Sequence, residues 1–194
     1  MKRFNLYLTI GNPGSGKTTA ARKLAERFDV SLLDPDLMRR ELGLRDYDPK
    51  DTPRVMGEIF RRKIAALNSG QIVVLATPYV RIQSREQSYR LITDISSQLA
   101  QDLTAVIISC ECPEELAKCR IQRRASGDGL HCATNDPRKW DNINAQKNPI
   151  SKEERAANPL FSYLEYNTEE QIIRRLAVRS GMEEAVDEIE ALLL

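Results

Sequence analysis

Gly11-Asn12-Pro13-Gly14-Ser15-Gly16-Lys17-Thr18 decides the fold through what stands on either side of it. Before it, residues 5–10 alternate and then run apolar, the pattern of a buried strand that Gly11 breaks. After it, Ala20, Ala21, Leu24, Ala25 and Phe28 recur at helical spacing and give one face to pack on a sheet. Between such a strand and helix, a glycine-rich turn lets backbone N–H groups converge on phosphate oxygens, and the helix start adds its partial positive charge. Gly11, Gly14 and Gly16 allow the close wrap, with Asn12, Pro13, Ser15 and Thr19 completing the expected nucleotide-binding stretch. Lys17 is placed to reach the β- and γ-phosphates, and the Thr18 hydroxyl to ligate Mg²⁺, so ATP and Mg²⁺ are the expected cofactors.

Outward from the loop, the same alternation repeats. Residues 30–33 form a short apolar run ending at Asp34, and Asp36 stands as an N-cap before a helix over 37–42. Val55, Ile59, Ile64 and Leu67 predict a surface helix over 53–67, stopped by Asn68-Ser69-Gly70. Residues 72–76 are continuously apolar between Gly70 and Pro78, as in a central parallel strand buried on both faces. A helix over 83–101, a strand over 104–109 and a helix opened by Pro113 follow. From 125 to 160 the apolar periodicity disappears, and the segment is expected to be mobile. A fifth strand is expected over 161–166, and Thr168 with Gln171 has the spacing of a capping box that opens a helical tail. Repeated β-α alternation predicts a parallel sheet covered on both faces, with ligands at the carboxyl ends of its strands.

The 194 residues suit one α/β domain, 1–194. Twenty-nine basic and 28 acidic residues leave a formal charge of +1, so no global field draws in a polyanion or an anionic membrane. There is no run of roughly 20 apolar residues and no cleavable leader after Met1-Lys2-Arg3, which points to a cytoplasmic protein without membrane contact. Cys110, Cys112, Cys119 and Cys132 lack a paired spacing and are expected as reduced thiols; His131 beside Cys132 does not have the spacing of a zinc site. The strand over 72–76 ends Ala76-Thr77-Pro78, without the acidic pair of motor-type ATPases and ABC proteins. No Asn-Lys-x-Asp run is present to read a guanine base, which leaves a small kinase.

Leu33-Asp34-Pro35-Asp36-Leu37-Met38-Arg39 resembles the small P-loop kinases that include 5′-polynucleotide kinase domains, zeta-type toxins and antibiotic or sugar kinases. The resemblance spans roughly residues 4–130 and implies a three-layer P-loop sandwich with a five-stranded parallel sheet in the order 2-3-1-4-5 and a helical lid near 120–160. It implies that Asp36 activates the acceptor hydroxyl and that Arg39 positions phosphate or substrate. Arg120 and Arg124, four apart, match the lid arginines that close over the phosphates, with Arg123 as a substitute. Asp34, two residues before Asp36, matches a DxD metal contact. Ala76 departs from the acidic residue found there in polynucleotide kinases, leaving Asp34 as the replacement. The chemistry agrees: a neutral alcohol is a poor nucleophile, and a placed carboxylate accepts its proton as the phosphoryl group moves.

Arg54, Arg61, Arg62, Lys63, Arg81 and Arg85 are expected to flank the acceptor and contact a phosphodiester backbone, with Trp140, Tyr79 and His131 offering rings for base stacking. The leading expectation is therefore a kinase for a hydroxyl of a nucleic acid or nucleotide-like acceptor, a 5′ end or a hydroxymethylated base. A kinase for a small metabolite or antibiotic is the alternative, and an ATP-hydrolysing switch a third, which has no use for a base at Asp36.

Overall fold

The computed structural model describes residues 2–44, 48–126 and 138–194, and of residues 124–126, 138 and 139 the backbone alone. The sheet is built from β1 (Leu6–Ile10), β2 (Leu32–Leu33), β3 (Val73–Ala76), β4 (Ala105–Glu111), β5 (Phe161–Asn167) and β6 (Ile172–Ala177), in the order β2-β3-β1-β4-β5-β6. The first five run parallel in the expected order. The sheet differs from expectation in having a sixth strand, antiparallel to β5, so it is mixed.

That strand stands where the capping box predicted a helix. Asn167 instead takes the amides of Glu169 and Glu170 on its side-chain oxygen, closing a turn after which Ile172–Ala177 pairs back onto β5. Such an Asx turn and the β-branched pair Ile172-Ile173 favour a hairpin over a helix start. The helical tail begins later, as α8 (Glu183–Leu193), whose Ala185, Val186, Ile189 and Leu193 are buried.

Strand alternation divides the core between two faces. Tyr7, Val74, Val106 and Leu164 pack with α8 and with α1 (Lys17–Phe28) on one side. On the other, Leu6, Leu75, Ile107 and Tyr163 pack with α3 (Thr52–Asn68) and α4 (Ile82–Leu99).

The second apolar run pairs only over Leu32–Leu33, and α2 (Pro35–Glu41) starts earlier than expected. Asp34, not Asp36, is its N-cap, accepting from the amides of Asp36 and Leu37. Pro35 at the first helical position fixes this register, since its missing N–H costs nothing there.

Beyond α5 (Glu114–Ser126), the polar stretch expected to be mobile contains α6 (Arg138–Asn144) and α7 (Lys152–Ala157). Asn148 N donates to Val80 O at 2.8 Å and Lys147 Nζ reaches Glu111 at 2.5 Å, strapping the segment across the carboxyl edge of the sheet. Polar pairing replaces the apolar periodicity that the sequence lacks there. His131 and Cys132 lie outside the described residues.

Candidate functional site

The phosphate loop is shaped by positive φ at Gly11, Gly14 and Gly16. At Gly14 the requirement is also steric: a Cβ would stand 2.4 Å from Ala117 O on α5. Thr168, at the β5–β6 turn, holds the outer side of the loop by donating to Ser15 O at 3.0 Å. Lys17 Nζ bends back to Asn12 O at 3.2 Å, spanning the loop it is expected to serve. Thr9 on β1 donates to Lys17 O, tying the first turn of α1 to the sheet. Asn12, Pro13, Gly14 and Ser15 are buried, whereas Thr19 is exposed at the loop's far end.

The carboxyl end of β2 brings Asp34 to this loop. Its Oδ2 lies 3.2 Å from Thr18 Oγ1, and its other oxygen caps α2. Burial pushes the Asp34 carboxyl above its ordinary range and the nearby Asp36 adds to this, against the helix amides and the Lys17 ammonium. A buried carboxylate beside a hydroxyl is a hard-oxygen pair that a divalent cation would stabilise in its charged form, so the residues fit Mg²⁺. Among the described residues no cluster of three His, Cys, Asp or Glu forms a cage of its own. Ala76 is buried in the α1-side core, so no carboxylate comes from that position.

Asp36, in the first turn of α2, is partly exposed, and its Oδ1 lies 3.7 Å from Arg39 Nη1. Arg39 is buried and its Nη2 donates to Thr52 on α3, so the guanidinium sits between the two helices. Asp34, Asp36, Lys17 and Thr18 are thus gathered at one sheet edge.

Arg120 stands on the other side of the loop. Its Nη1 donates to Gly14 O at 3.2 Å and to Thr168 Oγ1 at 3.0 Å. With Gly16, Thr19, Lys23, Arg123 and Gln171 it walls a cavity of about 410 Å³ at the end of the loop. Arg124 is on α5, and its side chain is outside those described. Thr168 and Gln171 were missed as site residues because their spacing suggested a cap.

The basic acceptor surface does not form as expected. Arg61 and Arg62 share Glu58, and Arg62 also reaches Glu41. Lys63 is buried, its ammonium drawn down to about 8 by desolvation and lying 5.3 Å from the Phe60 ring centroid. Arg85 is 1% exposed and makes a bidentate pair with Glu154 of α7 at 2.7 Å, while its Nη1 holds the carbonyls of Tyr79 and Val80. Of the six, Arg54, Arg61 and Arg81 are exposed, and Arg61 is the one of these held by Glu58. Trp140 is no stacking platform either: it is buried against Ala117 and Ile121, with Lys118 over its ring. Tyr79 packs partly buried against the α3–α4 side of the core. Cys110, Cys112 and Cys119 are free thiols, as expected. Among the described residues no helix is long and apolar enough to cross a membrane.

Known proteins are similar to this chain. An uncharacterised protein of Mycobacterium tuberculosis is 29% identical over 136 residues, which are 63% of this chain and 26% of that protein. The chain therefore spans about a quarter of the length of the mycobacterial relatives it matches. A shikimate kinase of Corynebacterium jeikeium is 29% identical over 157 residues, 74% of this chain and 72% of that enzyme. Among solved structures, a gluconokinase from Sinorhizobium meliloti superimposes with a TM-score of 0.51 at 16% identity, covering 99% of this chain and 93% of the other. The Pnkp1/Rnl/Hen1 RNA repair complex superimposes with a TM-score of 0.54 at 18% identity, covering 76% and 48%. These likenesses show a P-loop kinase-like fold. The model of the AAA domain family matches residues 6–145, and the chain belongs to that family.

Proposed function

We propose that residues 1–194 form one ATP- and Mg²⁺-dependent kinase domain that transfers the γ-phosphoryl group to a hydroxyl of a small polar metabolite. Asp36 carries the reading: a carboxylate at the sheet edge that gathers Lys17 and Thr18, beside a buried arginine. Lys17 leaves Asn12 O to hold the β- and γ-phosphates, and the loop amides take the remaining oxygens. Thr18 and Asp34 hold Mg²⁺, which when bound neutralises charge on the phosphate oxygens. Asp36 accepts the proton of the acceptor hydroxyl as its oxygen attacks phosphorus, and Arg39 fixes the Asp36 carboxylate. Arg120 acts from α5, where it reaches Gly14 O, with Arg124 as its partner in the chain.

A small acceptor is favoured over a polynucleotide because four of the six expected backbone contacts are paired or buried. We read the strap of residues 138–157 as the acceptor wall, and a shikimate kinase and a gluconokinase stand among the relatives and neighbours.

The test incubates the protein with γ-labelled ATP and Mg²⁺ against gluconate, shikimate, a polyol panel and a 5′-hydroxyl oligonucleotide. Label on a small acceptor is expected, and Asp36→Asn should lower transfer by about 10²–10⁴-fold with ATP affinity kept. Label appearing only as free phosphate would return the protein to the switch reading.

A further inference from the structure

Near the carboxyl edge of the sheet, Ile10, Ser109, Glu165 and Arg174 stand opposite one another in a single row through β1, β4, β5 and β6. The row before it, Leu8, Ile107 and Tyr163, is fully buried core on the α3–α4 side. Side chains two apart on a strand share a face, so Ser109 and Glu165 point to that same side, where apolar residues have given way to polar ones. Residues 147–150 of the strap complete the walls of a cavity of about 370 Å³ over this row. Lys17, Thr18, Asp34 and Asp36 are not among its described walls, so it is separate from the place of phosphoryl transfer.

Val80, Ile150 and Leu176 give the cavity an apolar side. Most of its charged groups are already matched. Arg85 is held by Glu154, and Glu111 accepts from the Ser109 hydroxyl on one oxygen at 2.9 Å and from the Lys147 ammonium on the other at 2.5 Å. Glu165 differs. Among the described residues the cation it meets is Arg174 Nη1, 3.5 Å away on a side chain 71% exposed at the sheet edge. That separation is long for a charge-assisted hydrogen bond, and an exposed pair contributes little. The cavity therefore presents a carboxylate with acceptor capacity to spare beside an apolar wall, at a volume within the range of small-molecule sites.

We propose that this cavity is a second binding site, taking a small organic cation whose ammonium meets Glu165 and whose hydrocarbon part lies against Ile150 and Leu176. Such a ligand bridges sheet and strap, and so fastens residues 147–150 in addition to the Lys147–Glu111 pair. No nucleotide takes part, so the site does not depend on the transfer reaction.

Calorimetric titration of the whole chain with cyclohexylmethylammonium, set beside its neutral isostere cyclohexylmethanol, tests this. The ammonium should bind about tenfold more tightly than the alcohol, the worth of a hydrogen bond between charged partners. Glu165→Gln keeps the shape of a partly exposed side chain; it should erase that difference at an unchanged melting temperature. Arg174→Gln removes the competing cation and should strengthen the ammonium by up to about fivefold. Leu176→Trp fills the cavity and should remove binding of both probes. The Asn148 amide, bonded to Val80 O, should exchange more slowly with the ammonium bound. Equal binding of ammonium and alcohol, binding of neither, or an Asn148 amide indifferent to the ligand would overturn the proposal. So would ammonium binding kept at full strength by the Glu165→Gln or Leu176→Trp protein, or weakened in Arg174→Gln.

Discussion

The phosphate loop and the 138–157 strap meet at a side-chain bond, Asn12 Nδ2 to Asn144 Oδ1 at 2.8 Å, yet they are held in opposite ways. The loop depends on main-chain shape: positive φ at its glycines and a backbone approach at Gly14 too close for any side chain. The strap depends on side chains reaching far along the sequence. The side chains of Asn144, Lys147 and Glu154 reach Asn12, Glu111 and Arg85, and that of Asn148 accepts from Ile82 N. A backbone cradle needs one local conformation. A strap need only be fastened, and many different pairs will fasten it.

Breaking the strap at its buried ion pair should have the largest effect. Glu154→Ala leaves the Arg85 guanidinium buried without its carboxylate, which costs about 3–5 kcal/mol. Denaturant melts should show that loss. Hydrogen exchange should quicken over Lys152–Ala157 and around Tyr79 and Val80 before it does in β1; uniform quickening would mean that strap and loop open as one unit. Acid reaches the same pair. Burial alone would raise Glu154, but the Arg85 and Tyr89 hydrogen bonds prevail and hold it below the ordinary glutamate range. Its folded pKa is depressed, so its contribution is full above the ordinary glutamate pKa and is lost as pH falls through the folded value. Exchange over the strap should therefore rise first on acidification.

Gly14→Ala attacks the other region. A left-handed alanine facing Ala117 O should cost about 2–3 kcal/mol once strain and the forced shift of α5 are combined. Tripolyphosphate binding should be lost while strap exchange stays slow. Binding kept at the original strength would contradict a loop governed by its main chain. Asn144→Ala removes only the shared bond and should cost about 1 kcal/mol in a melt. A larger loss, with weaker ATP binding, would show the two regions coupled through Asn12.

The same contrast explains what was legible in the sequence. Gly11–Thr18 announces itself because eight adjacent residues hold its geometry, and the five parallel strands follow from apolar runs that begin and end locally. Pro35, which suits a first helical position, marks the preceding Asp34 as the cap of α2. The Arg85–Glu154 pair joins residues 69 apart and the Asn12–Asn144 bond residues 132 apart, so no window of sequence contains either. The polar stretch over 125–160 reads as mobile because the partners that fasten its described part, 138–157, lie far away in sequence. The Thr168–Gln171 spacing misled for a related reason: a cap and a hairpin turn both begin with a residue that binds nearby amides, and only the strand alongside decides between them.

Lys63 supplies a built-in clock. Its amine, drawn down to about 8 and enclosed by α3, is largely the nucleophilic base in mildly alkaline buffer, where an exposed lysine is still mostly protonated. An acylating reagent meets it only when α3 lifts from the sheet. The rate at which Lys63 takes up label therefore times that opening, and a ligand that closes the wall next to α2 would slow the clock without touching the residue that keeps it.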